Sequence, residues 1–316
     1  MLDRIPRPTH VEPMALSLDI ALPPAEGGVL TRAPYTPFMA ARTARAPGIS
    51  PLGTAPLIAV LDDFAWQMAR RAALIRARPE IVHALLPEAE PAALELLDTI
   101  AETAGALPGF ERNGRHWHRP DGITTEIDHA QPLLSLGTMV AEDFCLLSAA
   151  PGAQYRLIGA ILCFPSRWLL SEKLDKPLTA IHDRVPEYDD TLARRVARLF
   201  ETLRPGRALV RVNWLVHATP EPHLPLGLSD KLVAKADPQG PLYLRTERQT
   251  LLRLPKSGAV AFGIKTSISA LDSLTPEEKA ALAHALQALD GETIAYRAGA
   301  DLHQRALQRL TRSGQA

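Results

Sequence analysis

Apolar residues recur at different periods along this chain, and the changes of period mark its parts. From Leu57 to about Ala106 they fall every three or four residues. Phe64, Met68, Arg71 and Ile75 stand one helical turn apart, the arginine included, and a second run opens near Pro91 with Leu94, Leu97 and Ile100. That spacing stacks side chains on one face and predicts two helices. Residues 1–56 hold no sustained period and are rich in proline, glycine and alanine, the pattern of an extended arm or of a partly disordered tail. Between Gly109 and Leu136 lies a loop-rich connector carrying His116, Trp117, His118 and His129. Residues 137–147 form a short apolar segment that fits either a strand or a buried helical turn.

Beyond Tyr155 the pattern shifts toward strands. Tyr155 to Phe164, Ala208 to Val216, Tyr243 to Leu254 and Ala259 to Ser267 read as strands, the last two joined by a turn at Pro255-Lys256-Ser257-Gly258. Leu192, Val196, Leu199, Phe200 and Leu203 give an amphipathic helix that stops at Pro205-Gly206. Thr275-Pro276-Glu277-Glu278 combines an N-cap threonine, proline at the first helical position and glutamate at the third. Such a capping box opens a helix, here through Leu289. The order predicts an α+β fold with helices over one face of a mostly antiparallel sheet, and a ligand pocket between them. The expected organisation is an irregular arm (1–56), a helical N-terminal region (57–136), a sheet domain (137–300) and a C-terminal tail (301–316).

Composition narrows the function classes. The 316 residues are 46% hydrophobic, and 35 basic side chains balance 35 acidic ones. No net field attracts nucleic acid or an anionic membrane, and Arg70-Arg71 and Arg194-Arg195 read as solvated helix faces. No run of apolar residues is long enough to span a bilayer, and no secretory leader is visible; the expectation is a soluble cytoplasmic protein. Cys145 and Cys163 both sit in apolar runs, as buried free thiols do. Two cysteines cannot supply the four thiolates of an iron–sulfur cluster. Neither a G-x-G-x-x-G turn nor a phosphate-binding P-loop is present, so reducing equivalents for any redox chemistry must come from another polypeptide.

Candidate chemistry concentrates in the second half. His182 lies between a short polar helix and the Val185-Pro186 turn, with Asp183-Arg184 between. There it can present an imidazole to a metal or a haem iron, or simply hydrogen-bond backbone at a helix end. Arg167 in Phe164-Pro165-Ser166-Arg167-Trp168 can reach a carboxylate with its bidentate fork. Arg211 and Asn213 alternate onto one strand face, which is costly unless something polar meets them. Thr246, Arg248 and Thr250 share one face of the next strand, with Glu247 and Gln249 on the other. One set is expected to face water and the other to line a polar pocket. His116-x-His118 with His129 lacks zinc-ligand partners at matching spacing, and the apolar surroundings of Cys163 disfavour a thiolate. No G-x-S-x-G nucleophile elbow occurs.

Taken together, several segments resemble the α-subunit family of haem-dependent oxidative N-demethylases in order and spacing, from about Tyr35 to about Leu289. They are the run from Cys163 to Trp168, Glu172-Lys173-Leu174, Ile181-His182 with Val185-Pro186, Arg211 to Trp214, and Arg245 to Phe262. The resemblance implies a PAS-like domain, a five-stranded antiparallel sheet with helices clasping haem against one face. It implies haem b as cofactor, His182 as the iron ligand, and Arg167 and Trp168 beside the cofactor. The absence of C-x-x-C-H points to non-covalent attachment. The implied activity is oxygen-dependent demethylation of a small secondary amine such as dimethylamine, giving a primary amine and formaldehyde. Electrons would come from NADPH through a separate FMN and 2Fe–2S reductase subunit, and a folate-binding subunit would take up the one-carbon unit. Arg211, Asn213, Glu247, Arg248 and Thr250 become candidates for polarising oxygen and holding the amine. A non-catalytic gas- or redox-sensing or partner-binding role for the same pocket is the alternative.

Overall fold

A computed structural model describes residues 21–44, 48–150, 153–183, 185, 188, 190–225, 237–297 and 299–312; Arg184 and Pro186 lie outside these. Eleven strands occur among the described residues: β1 (Val29–Leu30), β2 (Ser50–Pro51), β3 (His83–Leu85), β4 (Glu111–Asn113), β5 (His116–His118), β6 (Thr124–Glu126), β7 (Asp143–Ser148), β8 (Arg156–Ile161), β9 (Leu209–His217), β10 (Tyr243–Arg253) and β11 (Val260–Ala270). The α-helices are α1 (Ala41–Ala44), α2 (Phe64–Ala77), α3 (Pro79–Val82), α4 (Glu90–Gly105), α5 (Pro132–Met139), α6 (Leu170–Lys173), α7 (Leu178–Ile181), α8 (Asp190–Thr202), α9 (Pro276–Gln287), α10 (Gly291–Arg297) and α11 (Gly299–Arg312).

The fold is α+β. Eight strands form one sheet in the order β2-β9-β10-β11-β7-β8-β3, with β1 pairing in parallel to the far end of β11 and every other neighbour antiparallel. Four of the five longer strands, β8 to β11, are legible as alternating or continuous apolar runs, and the segment 137–147, which fits either a strand or a helical turn, holds the end of α5 and most of β7. The two- and three-residue strands β1 to β3 are not legible, because so few residues carry no period. The connector read as loop is a separate meander, β4-β5-β6. It is organised by Trp117, which is fully buried between exposed His116 and His118.

Helices stand on both faces of the sheet, where the sequence pattern pointed to one. On one face, here the α2 face, Phe144, Leu146 and Ala261 pack with Met68 and Leu74 of α2 and Leu96, Leu97 and Ile100 of α4. The same face receives α9 and α11 through Trp214, Val216 and Leu244. Residues 301–312, expected as a tail, belong to α11 and bury Leu302, Ala306 and Leu310 in that layer. On the opposite face, the α8 face, Cys145, Leu147, Leu251, Val260 and Ile264 meet Leu170, Phe200 and Leu203.

Local chemistry fixes these elements. Thr275 accepts from the backbone N–H of Glu278, whose carboxylate accepts from the N–H of Thr275, completing the expected capping box. The β10–β11 turn closes on Gly258 at φ 69°, a conformation glycine adopts without strain. Glu95 of α4 accepts the backbone N–H groups of Lys256 and Ser257 at 2.6 and 2.7 Å, pinning that hairpin to the N-terminal helices. Gly137 lets α5 lie close: a Cβ there would stand 2.7 Å from Ile75 and 2.8 Å from Ile161.

Arg70 and Arg71, read as solvated, are 2% and 0% exposed. Arg71 donates to Asp143 and to the carbonyls of Gly137 and Glu142, while Arg70 forms a bidentate pair with Glu221. Every guanidinium nitrogen of Arg71 meets an acceptor, as a buried cation needs, whereas Nε of Arg70 finds none among the described residues. Arg194 and Arg195 are exposed, as expected.

Candidate functional site

The α8 face is where the sequence-derived candidates meet. Cross-strand register sets Arg211 opposite Gln249, Asn213 opposite Glu247 and Leu215 opposite Arg245, so all six residues share this face. Four of them, Arg211, Gln249, Glu247 and Arg245, form a hydrogen-bonded line. Arg211 Nε donates to Gln249 Oε1 at 2.6 Å, Gln249 Nε2 donates to Glu247 Oε2 at 2.9 Å, and Arg245 Nε donates to Glu247 Oε1 at 2.9 Å. Arg245 also donates to the carbonyls of Pro222 and Phe164, which locks it in place. Arg245 thus bonds the one carboxylate directly, and Arg211 is linked to it through Gln249. Burial lowers the pKa of Arg211, and Glu247 and Tyr188 counter that effect. The line carries a net positive charge and suits an anionic group.

His182 follows the short helix α7, which α6 and β8 hold in place. Leu178 N donates to the carbonyl of Tyr155, and Lys173 Nζ reaches the carbonyl of Ala180 and the carboxylate of Asp183 at 3.4 Å. Nδ1 of His182 lies 2.9 Å from the carbonyl oxygen of Leu178. A carbonyl only accepts, so Nδ1 carries the proton and Nε2 keeps its lone pair. Burial, then the nearby Arg211 and Lys173, lower the pKa of the ring against the Leu178 bond and Asp183. The imidazole is therefore neutral at neutral pH. Tyr188 stacks on it at 4.4 Å and 15°.

This face is incompletely covered. Phe262, on the central strand β11, is only half-buried, as are Leu209, Arg211, Asn213 and Leu215 of β9. In α8 only Phe200 is fully buried; Leu192, Val196 and Leu199 are half-buried. The amide of Asn213 makes no side-chain hydrogen bond among the described residues. An apolar wall, a neutral imidazole with a free lone pair and a surplus of guanidinium charge together fit a flat apolar cofactor bearing acidic groups, which is what haem is.

The remaining candidates are placed elsewhere. Arg248 and Thr250 point to the α2 face. Arg248 donates there to the carbonyls of Leu57 and Pro56, and Thr250 lies beside Gly263. Neither side of this strand faces water: Thr246, Glu247, Arg248 and Gln249 are all buried, which corrects the expectation for one set. Arg167, at φ 62°, donates to the carbonyls of Tyr296 and Arg297 at the end of α10. Trp168 is half-buried against the α8-face core. His217 lies on the α8 face with its pKa pushed down to about 3, by burial first and by Arg245 and Arg167 next. The thiols of Cys145 and Cys163 are raised to about 12 by burial.

Sequence reasoning passed over Gln249, Arg245 and Tyr188 as site residues. The alternation did place Gln249 beside Glu247. Nothing local marks Tyr188.

No helix among the described residues is long and apolar enough to cross a membrane. Among known families, residues 48–307 match the model described as haem-dependent oxidative N-demethylase, alpha subunit-like. That description names an oxidoreductase, implies haem and, as an alpha subunit, implies companion subunits. The match takes in every long strand of the sheet, the α8 face and most of the helices, and the chain belongs to the haem-dependent oxidative N-demethylase alpha subunit-like family.

Proposed function

We propose that this chain is the haem-binding subunit of an enzyme that uses O2 to remove a methyl group from a small secondary amine of the dimethylamine type. The products would be a primary amine and formaldehyde. Electrons would come from a separate NADPH-dependent FMN and 2Fe–2S reductase, and a folate-binding companion would take up the one-carbon unit. The observation that carries the reading is His182, whose Nδ1 is engaged by the Leu178 carbonyl while Nε2 keeps its lone pair beside a half-open sheet face. A second proton-bearing nitrogen held by a carbonyl is the usual outer support of a metal-bound imidazole. The five longer antiparallel strands, with α6 to α8 over one face, support a PAS-like domain.

Haem b, bound non-covalently, would supply the reductive activation of O2 that no side chain provides. His182 would hold the iron, and the burial that keeps its ring unprotonated favours ligation at neutral pH. Leu209, Phe262, Val196 and Leu199 would exclude water from the site. Arg211 would neutralise an acidic group or polarise an oxygen. The carbonyl oxygen of Asn213 can accept from the amine N–H. Both oxygens of Glu247 already accept a bond, so it would act on a cationic amine through its charge. Arg248 and Thr250 would support the strand from its other face.

The test is titration of the full chain with hemin, followed by dithionite and carbon monoxide, read by the Soret band. Wild type, His116→Ala and His118→Ala are expected to bind alike, and His182→Ala to lose the band. Equal occupancy in His182→Ala would reject the ligand assignment, and no uptake by wild type would reject the reading. Amine-dependent formaldehyde release is expected only when a ferredoxin-type reductase is added.

A further inference from the structure

The chain is neutral overall, yet one surface is not. Between residues 190 and 207 stand Arg194, Arg195, Arg198, Arg204 and Arg207, against only Asp190 and Glu201, and all seven are exposed. Elsewhere, Arg115 pairs with Glu126, Arg156 with Glu88 and Asp175, and Arg309 with Asp272, while the exposed arginines that form no ion pair among the described residues, Arg32, Arg42, Arg76 and Arg112, are scattered along the chain. The five on α8 and the turn after it form no ion pair among the described residues, and Arg194 reaches only the hydroxyl of Thr191. The inner side of the same segment, through Val196, Leu199, Phe200 and Leu203, packs into the core that includes Ile181, Leu209 and Phe262. The basic surface is therefore the outer side of the wall whose inner side lines the His182 face.

Unpaired like charges on one helix repel one another weakly, by a few tenths of a kcal/mol per neighbouring pair. Their concentration on this wall creates a local positive field that a neutral molecule otherwise lacks. The chain has neither a nucleotide-binding turn nor enough cysteines for a cluster, so its reductant is a second protein.

We infer that the outer surface of α8 and its following turn is the docking face for an acidic patch on an electron-carrying protein. The choice of partner rests on the redox reading above, and the surface itself rests on the charge distribution. Complementary charge of this kind sets encounter rate and orientation, and salt screens it over about 8 Å at physiological ionic strength.

The probe is an acidic 2Fe–2S ferredoxin, its Kd for the full chain measured by calorimetry. Raising salt from about 50 to about 300 mM should weaken binding about tenfold or more. At low salt, the Arg195→Glu, Arg198→Glu double variant should also bind about tenfold more weakly, and the Arg195→Lys, Arg198→Lys pair within about threefold of wild type. Circular dichroism and urea midpoints establish that each variant folds; should the glutamate pair fail, Arg195→Gln with Arg198→Gln replaces it. No binding by wild type, a salt-independent Kd or an unchanged Kd on charge reversal would each overturn the inference. So would tighter binding of duplex DNA than of ferredoxin. Haem occupancy is read separately: a chain that binds ferredoxin but takes up no hemin would end the enzyme reading and leave the docking face standing.

Discussion

On the α2 face of strands β10 and β11, buried Lys265 lies 3.1 Å from buried Asp63, and the buried guanidinium of Arg248 donates to the carbonyls of Pro56 and Leu57. On the α8 face of the same strands and of β9, Arg211 and Asn213 remain half-buried, and His182 offers a nitrogen that no described residue occupies. Both faces carry charge on alternating positions of neighbouring strands. What separates them is what lies opposite. The α2 face meets a fourteen-residue helix and an arm that bring acceptors to each cation, whereas the α8 face meets two one-turn helices and a third that stands half off the sheet. One face holds its charges for the fold; the other holds them toward whatever enters.

Substitutions should separate the faces by their effect on stability. The largest loss is expected on the α2 face: Asp63→Ala leaves the Lys265 ammonium buried and unpaired and should cost about 3–5 kcal/mol in urea unfolding. A loss below about 1 kcal/mol would mean that Lys265 sheds its proton without harm, in keeping with the pKa that burial already lowers.

Acid comes next. Burial holds His217 and His223 to pKa values of about 3 and about 4, well below the ordinary histidine value of about 6.5. Between those values the unfolded chain binds more protons than the native one, so stability is complete above about 6.5 and falls as pH drops toward 4. Urea midpoints across that range should decline, and His217→Gln should flatten the slope. An unchanged slope in that variant would place the linkage elsewhere.

Gln249→Leu removes the amide joining Arg211 to Glu247 and should cost about 1–2 kcal/mol, since one half-buried group regains water. The smallest effect on stability is expected from His182→Ala, below about 1 kcal/mol, because the half-buried ring makes one hydrogen bond, to Leu178, and one stacking contact, to Tyr188. A loss as large as that of Asp63→Ala would make His182 a structural residue and blur the contrast between the faces.

The parts of this molecule legible in its sequence are those set by near neighbours. The capping box at Thr275, the hairpin around Gly258 and the shared face of Arg211 and Asn213 each follow from residues within a turn or a strand. The burial of Arg70 and Arg71 does not, because their carboxylate partners Glu221 and Asp143 lie 151 and 72 positions away. Nor does alternation say which side of β10 joins Arg211; the register opposite Gln249 decides it. The same holds for the place of α9 and α11 beside α2 on one face, since they reach the sheet through Trp214 and Val216, which the pattern alone assigns only to a strand.

The central place of β11 has a consequence for synthesis. Val260–Ala270 pairs with β10 on one side and with β7 and β1 on the other, yet it is the last strand to leave the ribosome. Until it emerges, the nascent chain can assemble only two separate fragments, one of β3, β8 and β7 and one of β2, β9 and β10. Each ends in a raw strand edge open to pairing with another chain. A polypeptide stalled before Val260 is therefore expected to be held by chaperones or to aggregate, and release of eleven further residues closes both edges at once.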